Sequence, residues 1–374
     1  MRGKKGSIAE GAAEVRGRVW LSGKQILAVG LACLAIWNIC LQVQFLRAKP
    51  RMEAYLPADL YVAVGNTMEL YNSQVAVCGL EGAYTLSWDC EIGRNLGDRF
   101  SVEGLEEQIG DYPLVLEIYD WNDSLVERLT STLHVVDAQI EGEYSILNMG
   151  DSLSNGREWY RKIFYLSDGH LTFTGTRGWT KYSHEGRSGF SPQDYLAETA
   201  YSHEGEGVHP FYDPAQQRFD WNYYKLKTGI QPDIIQIFLG INGLKDDPFD
   251  QVDAIAQMVN NIRSYDQNIP IYIVNTPYVG DQDHMGSMEL PDGSPWFRGE
   301  HKETWDWRIM HLMKGLERKL GNYSHVTFIP LALMHDSAHN FDQGEALHPN
   351  ENGDSQFASC MYGVYCGTLE GQLR

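Results

Sequence analysis

From Tyr144 onward the hydrophobic pattern leaves few folds open. Four short, β-rich apolar runs, YSILNMG (144–150), DIIQIFLG (233–240), IPIYIVNTP (269–277) and HVTFIPLA (325–332), are separated by longer stretches of helical periodicity. A strand that is apolar on both sides must be covered on both sides, which is the condition of a parallel sheet with helices packed on each face. The amphipathic stretches 248–265 and 304–320, and a last one from 352 to about 369, supply those helices. In such sheets ligands gather beyond the carboxyl ends of the strands, so the residues that follow each run are where chemistry is expected.

Upstream the period changes from helical to two. Runs at 59–71, 74–79, 84–93, 112–126 and 131–139 alternate apolar and polar residues and are broken by turn formers. They predict a small all-β, immunoglobulin-like sandwich with a hairpin tip at Trp121–Asn122–Asp123–Ser124. Before it, residues 26–46 (ILAVGLACLAIWNICLQVQFL) carry no formal charge, long enough for a span at about 20 residues. The basic flank ahead of this run predicts an inside N-terminus. A cleaved signal peptide is the rival reading, but the run is long for one and no small-x-small site follows it. The expected organisation is a basic cytoplasmic tail (1–25), a transmembrane signal anchor (26–46), a stalk (47–57), a β-sandwich accessory domain (58–140) and an α/β domain (141–374). The last domain then lies outside the cell on a single-pass membrane protein.

Charge narrows the partners. The formal net charge is −20, and the first 51 residues hold nine Lys or Arg against Glu10 and Glu14, which leaves the rest of the chain at −27. Such a surface repels phosphate backbones and anionic headgroups, so nucleic acid is excluded as a partner and a neutral or cationic ligand is favoured. Cys78/Cys90 and Cys360/Cys366 are close pairs outside the apolar run. Disulfides or buried thiols both fit them. Neither the cysteines nor His170, His203, His209, His284, His301 and His339 are spaced as metal ligands, so no metal or cofactor is expected and the histidines read as surface or loop residues.

Four strand-end positions carry reactive groups. The first run ends in Gly150-Asp151-Ser152-Leu153-Ser154, which sets a hydroxyl at the sheet's carboxyl edge, at the start of a helical turn whose free N–H groups could hold an oxyanion. The loop His184–Phe190 contains Gly186 and Gly189, either of which could turn a backbone N–H toward a ligand. After the second run comes Gly240-Ile241-Asn242-Gly243, and an Asn amide can donate to an oxyanion where a carboxylate cannot. Before the last helix comes Glu345-Ala346-Leu347-His348-Pro349-Asn350, where an acid three residues ahead of a His can orient its ring. Any one of these tripeptides and loops is common as a turn or cap. Their order along one sheet is not.

Together the four blocks resemble the SGNH (GDSL-type) hydrolases, over about 144 to 369. The resemblance implies a three-layer α/β/α, flavodoxin-like domain that cleaves acyl esters without a metal or cofactor. It implies Ser152 as nucleophile, His348 as general base and Glu345 as its orienting acid, with the Ser152 N–H, the Gly189 N–H and the Asn242 side chain as oxyanion hole. Two positions depart from the family. Glu345 stands where Asp is usual, with Asp342 as a possible substitute, and Gly243 stands where Asp usually follows the Asn. The loops between the blocks are rich in aromatic residues suited to stacking on sugar rings, and Trp179, Arg187, Trp221 and Trp296 are the expected substrate-binding residues. The leading expectation is a deacetylase of extracellular carbohydrate. A lysophospholipase or thioesterase, and a catalytically degenerate glycan-binding protein, are the alternatives.

Overall fold

The computed structural model describes residues 51–373 except 81, 203–204, 245–247, 291–292 and 298, together with 24, 27 and 30–38. Of the first fifty residues, those described are helical and exposed. The expected span 26–46 thus lies mostly outside the described residues, and no helix among them is long and apolar enough to cross a membrane.

Residues 51–374 form one compact unit. Its centre is a parallel sheet in the order Leu171–Thr174, Tyr144–Gly150, Ile234–Phe238, Ile271–Val274, Val326–Ile329. Numbered by sequence, the order is 2-1-3-4-5, the doubly wound arrangement whose direction of winding reverses between the first and third strands. The two strands at that reversal are the ones that lead into Ser152 and Asn242. The strands Ile234–Phe238 and Ile271–Val274 are buried along their whole length, as their unbroken apolar runs predict. The helices Pro248–Tyr265 and Lys302–Leu320 pack together in one layer, and Trp159–Leu166 and Glu351–Leu373 in the other. The strand Leu171–Thr174 and the helices Trp159–Leu166 and Trp221–Thr228 are additions to the sequence reading.

Two polar side chains sit in the middle of this apolar sheet. Asn148 and Gln236 are register partners, both fully buried, and Gln236 Nε2 donates to Asn148 Oδ1 at 2.8 Å. Asn148 Nδ2 donates to the Tyr160 hydroxyl (2.8 Å), which donates to the Ser154 carbonyl (2.7 Å), while the Tyr365 hydroxyl donates to Gln236. Every member finds a partner, which is what burial of such groups requires. The chain ties the last helix, through the sheet, to the turn that carries Ser152.

The upstream strands form a four-stranded sheet (Asp59–Ala63, Leu125–Val136, Gly110–Asp120, Tyr84–Asp89) and a three-stranded one (Thr67–Tyr71, Arg99–Glu103, Arg94–Asn95). The hairpin tip falls where expected: the Asp120 carboxylate accepts from the N–H of Asn122 and Ser124, and Asp123 takes φ 56°. The expected run 74–79 departs from the reading, because Asn72–Val75 is a short helix and the strand begins at Ala76. Far from standing off as a spacer, this part packs on the α/β part. Gly363 and Gly367 of the last helix lie against Tyr61, where an added Cβ would meet the Tyr61 carbonyl at 2.8 Å and its ring at 2.1 Å. Gln74 Nε2 donates to the His335 carbonyl (2.7 Å) and the Ser337 hydroxyl (2.8 Å). The close cysteine pairs hold free thiols.

Candidate active site

Ser152 sits in a tight turn rather than at the start of a helix; the next helix begins only at Trp159. The turn is held by Asp151, whose carbonyl accepts from the Ser154 N–H (3.1 Å) and whose Oδ1 accepts from the Leu153 N–H (2.9 Å). Two glycines make the turn possible. A Cβ on Gly150 would fall 2.1 Å from Ser154 Oγ, and one on Gly186 would fall 2.7 Å from the Ser154 backbone. Asp151 itself is fully buried with Oδ2 unpartnered. Burial pushes its carboxyl up to about 7, against the Leu153 N–H and the charge of His348, which favour ionisation.

Facing this turn is the loop that precedes the last helix. His348 Nε2 lies 2.8 Å from Ser152 Oγ, and His348 Nδ1 lies 2.9 Å from Glu345 Oε2. Glu345 solves the problem of its extra methylene by capping its own turn: Oε1 accepts from the backbone N–H of Ala346 (2.9 Å), Leu347 (2.8 Å) and His348 (3.1 Å). That leaves Oε2 aimed at the ring. Burial works against the Glu345 charge, but the bond and charge of His348 and the backbone N–H groups outweigh it and hold the carboxyl at about 2. Asp342 meets Glu345 only through its carbonyl, which accepts from the Glu345 N–H at 3.1 Å. The loop is fixed at both ends. Asn350 Oδ1 accepts from the N–H of Asn352 and Gly353, and the Gly280 N–H donates to the Ala346 carbonyl (2.9 Å).

The choice between Gly186 and Gly189 is decided by their surroundings. Gly186 is buried beside Gly150 and its N–H donates to His184 Nδ1 (3.1 Å). Gly189 is exposed at φ 83°, a conformation that favours glycine, and open space surrounds it. Asn242 Nδ2 donates one hydrogen to the Phe190 carbonyl (3.1 Å), which fixes the amide next to Gly189 and leaves its second N–H for a ligand. Gly243 has φ 81°, and a Cβ there would fall 2.6 Å from Gln251 Nε2. The backbone at this position therefore favours glycine.

The four expected substrate-binding residues fare differently. Trp179 is 83% exposed on a loop near the nucleophile turn. Trp296 is half-buried against the core. Arg187 and Trp221 are corrections, for both are fully buried and offer no surface to a substrate. Arg187 donates to Glu185 Oε2 (2.9 Å) and Glu206 Oε1 (3.1 Å from Nε), and Tyr224 and Thr176 also bond Glu185. This buried ion network braces the loop that carries Gly189. Trp221 stacks on Tyr224, and its indole N–H donates to Asp266. His209, expected on the surface or in a loop, lies in a loop but is fully buried; burial lowers it to about 4, although the Ala197 and Asp194 carbonyls facing its Nε2 work the other way. His203 lies outside the described residues. Among the described residues no group of three or more His, Cys, Asp or Glu is placed to hold a metal ion.

Sequence reasoning passed over Asn155 and Arg157. Asn155 Nδ2 donates to Ser188 Oγ (3.1 Å), one residue from Gly189, and Arg157 bonds the Pro349 carbonyl, one residue from His348, and Asp354 (3.0 Å). Their only sequence signal is proximity to Ser152.

No protein-family model and no curated protein matches the chain. Among solved structures it is similar to a family 3 carbohydrate esterase of Talaromyces cellulolyticus, at 15% identity over 61% of this chain and 99% of that one with a TM-score of 0.39. It is also similar to a family 3 carbohydrate esterase of Clostridium thermocellum (17%, 61% and 98%, TM-score 0.37). A third is a lipase/acylhydrolase of Enterococcus faecalis (14%, 60% and 96%, TM-score 0.36).

Proposed function

We propose that the chain is a serine esterase of the SGNH type that removes acyl groups, acetyl above all, from extracellular carbohydrate. The observation that carries the proposal is the relay Glu345–His348–Ser152, with both ring nitrogens of His348 within 2.9 Å of their partners. A serine hydroxyl is a weak nucleophile at neutral pH, and a histidine at hydrogen-bond distance removes that limit. His348 takes the Ser152 proton as Oγ attacks the ester carbonyl, while Glu345 holds the ring and stabilises its positive form. The oxyanion is met by the N–H of Ser152, the N–H of Gly189 and the free N–H of Asn242, and loss of one such donor costs about 10²–10³ in kcat. His348 then returns the proton to the leaving alcohol and activates the water that hydrolyses the acyl-enzyme.

The carbohydrate assignment is supported by a polar, aromatic-lined cleft that begins at Asn155, three residues after Ser152, and by a charge that discourages anionic lipid and nucleic acid. Placement outside the cell on an anchor at 26–46 rests on the uncharged run and its basic flank. The test is hydrolysis of p-nitrophenyl acetate by the full chain beside Ser152→Ala. Loss of nearly all turnover in the variant is expected, and equal rates would remove the serine-esterase reading.

A further inference from the structure

Next to Ser152, but lined by none of the relay or oxyanion residues, lies a cleft of about 700 Å³. That is well within the ~300–1,000 Å³ of ordinary ligand sites. Its wall toward the relay is the segment Asn155–Arg157. As described above, Asn155 bonds Ser188 and Arg157 bonds the Pro349 carbonyl, so this one wall touches both the Gly189 loop and the residue after His348. In a serine hydrolase the leaving oxygen departs on the histidine side, where it collects its proton. Arg157, which lines the cleft and bonds the carbonyl next to His348, joins the cleft to that side.

The opposite side of the cleft carries Trp179 on the Arg177–Tyr182 loop. The indole is 83% exposed, and the backbone of its loop holds it there. Gly178 has φ 79°, and a Cβ on it would meet the Tyr182 carbonyl at 2.7 Å. Thr180 has φ 49°, which is unfavourable for a β-branched residue. The loop is thus folded back through Gly178, which takes this φ without cost, and through a strained Thr180, with Trp179 exposed between them. Strain of this kind persists where the surroundings impose it and gathers at ligand sites.

Charge decides what kind of ligand fits. Three arginines line the cleft, and each is paired with a carboxylate: Arg157 with Asp354 (3.0 Å), Arg161 with Glu158 (2.6 Å) and Arg177 with Glu206 (2.5 Å), which also holds Arg187. An anionic sugar would compete with these carboxylates for the guanidinium groups. A neutral sugar need not, because its hydroxyls can donate to Glu158 and accept from the guanidinium edges while its C–H face packs on the indole. We infer that this cleft is the leaving-group subsite of the enzyme and takes an uncharged glycan stacked on Trp179. The inference rests on the esterase reading only for the name of the group that leaves.

The experiment separates the two. Binding is measured with full-length Ser152→Ala, which needs no turnover, by calorimetry with neutral xylotetraose and with tetragalacturonate. The neutral oligosaccharide is expected to bind at least tenfold more tightly, and Ser152→Ala/Trp179→Ala to lose at least tenfold of that affinity. In the active protein, Trp179→Ala should lower kcat/KM for acetylated xylotetraose relative to that for p-nitrophenyl acetate by at least tenfold, through KM. Equal affinity for the two tetramers, preference for the uronide, or affinity indifferent to Trp179 would overturn the inference. A wild type inert toward p-nitrophenyl acetate would instead count against the esterase reading, and the binding arm would still decide the cleft.

Discussion

Replacing Glu345 by Gln tests the least family-like part of the relay. The carboxylate is held at about 2 against an ordinary 4.5, a difference worth roughly 3 kcal/mol in favour of the charged form. Because the folded value is depressed, that stabilisation is complete above about pH 4.5 and is lost as pH falls toward 2. At neutral pH the full amount is in play. An amide cannot reproduce the arrangement. If its oxygen faces the three backbone N–H groups, its NH₂ meets the N–H of His348 Nδ1; if it flips, the NH₂ meets the three backbone donors. Either way two donors oppose each other and the ring loses its tautomer and orientation. Loss of the acid's charge in a Ser-His-acid relay lowers kcat by as much as about 10⁴, so Glu345→Gln should lower kcat for p-nitrophenyl acetate by at least about a hundredfold at pH 7.5, with KM little changed. Asp342→Ala, whose carboxylate takes no part, should stay within about twofold of wild type. A Glu345→Gln protein that kept a third of its activity, or an Asp342→Ala protein that lost most of it, would refute this account of the relay.

Three further outcomes follow from buried or strained positions. Asp151 is fully buried with its carboxyl raised to about 7, so the native state binds a proton that the unfolded chain releases near 3.8, and stability falls as pH rises between those values. Asp151→Asn should therefore raise Tm more at pH 8 than at pH 4, by up to roughly 4 kcal/mol of difference; a gain that does not vary with pH would contradict the raised carboxyl. Arg187→Met leaves the buried Glu185 without its cation and Glu206 with Arg177 alone, and breaking a buried pair in this way costs about 3–5 kcal/mol, seen as a fall in Tm of roughly 5–15 °C. A Tm within 2 °C of wild type would show the network to be dispensable. Gly243→Ala forces a Cβ into a left-handed residue and to within 2.6 Å of Gln251, so a loss of about 1–2 kcal/mol and a lower kcat are expected. Unchanged kinetics and Tm would separate Gly243 from the placement of Asn242.

The elements that announced themselves in sequence are those whose local pattern coincides with their burial. The run Ile234–Phe238 is apolar because both its faces are covered, and the helix Pro248–Tyr265 has the bounds its periodicity gives. The Asp120–Ser124 turn was legible because Asp, Asn and Ser bond their own backbone there. The strand Leu171–Thr174 was not, since four residues with every second one buried on a sheet edge leave too short a signal. Ser152, Asn242 and His348 stood out by the order of strand ends together with the family resemblance, whereas Gly189 could not be separated from Gly186 until their surroundings were known. Arg187 and Trp221 could not be placed, because an arginine becomes a core residue only through carboxylates such as that of Glu206, 19 residues away, whose approach the fold creates. The cleft beside Asn155 was hidden for the same reason: its two walls come from separate loops.

The last helix has a consequence for how the molecule can be divided. Its first turn is capped by the residue two positions after His348, and its second half presents Gly363 and Gly367 to Tyr61 of the upstream sheets. The helix thus follows directly on the His348 loop at one end and offers a docking face to the upstream sheets along its length. A boundary drawn at residue 140 runs through shared packing, so deletion of 58–140 would strip a face of the helix that follows His348. What reads in sequence as a separate module abuts the helix behind the His348 loop, and the two parts should melt as one.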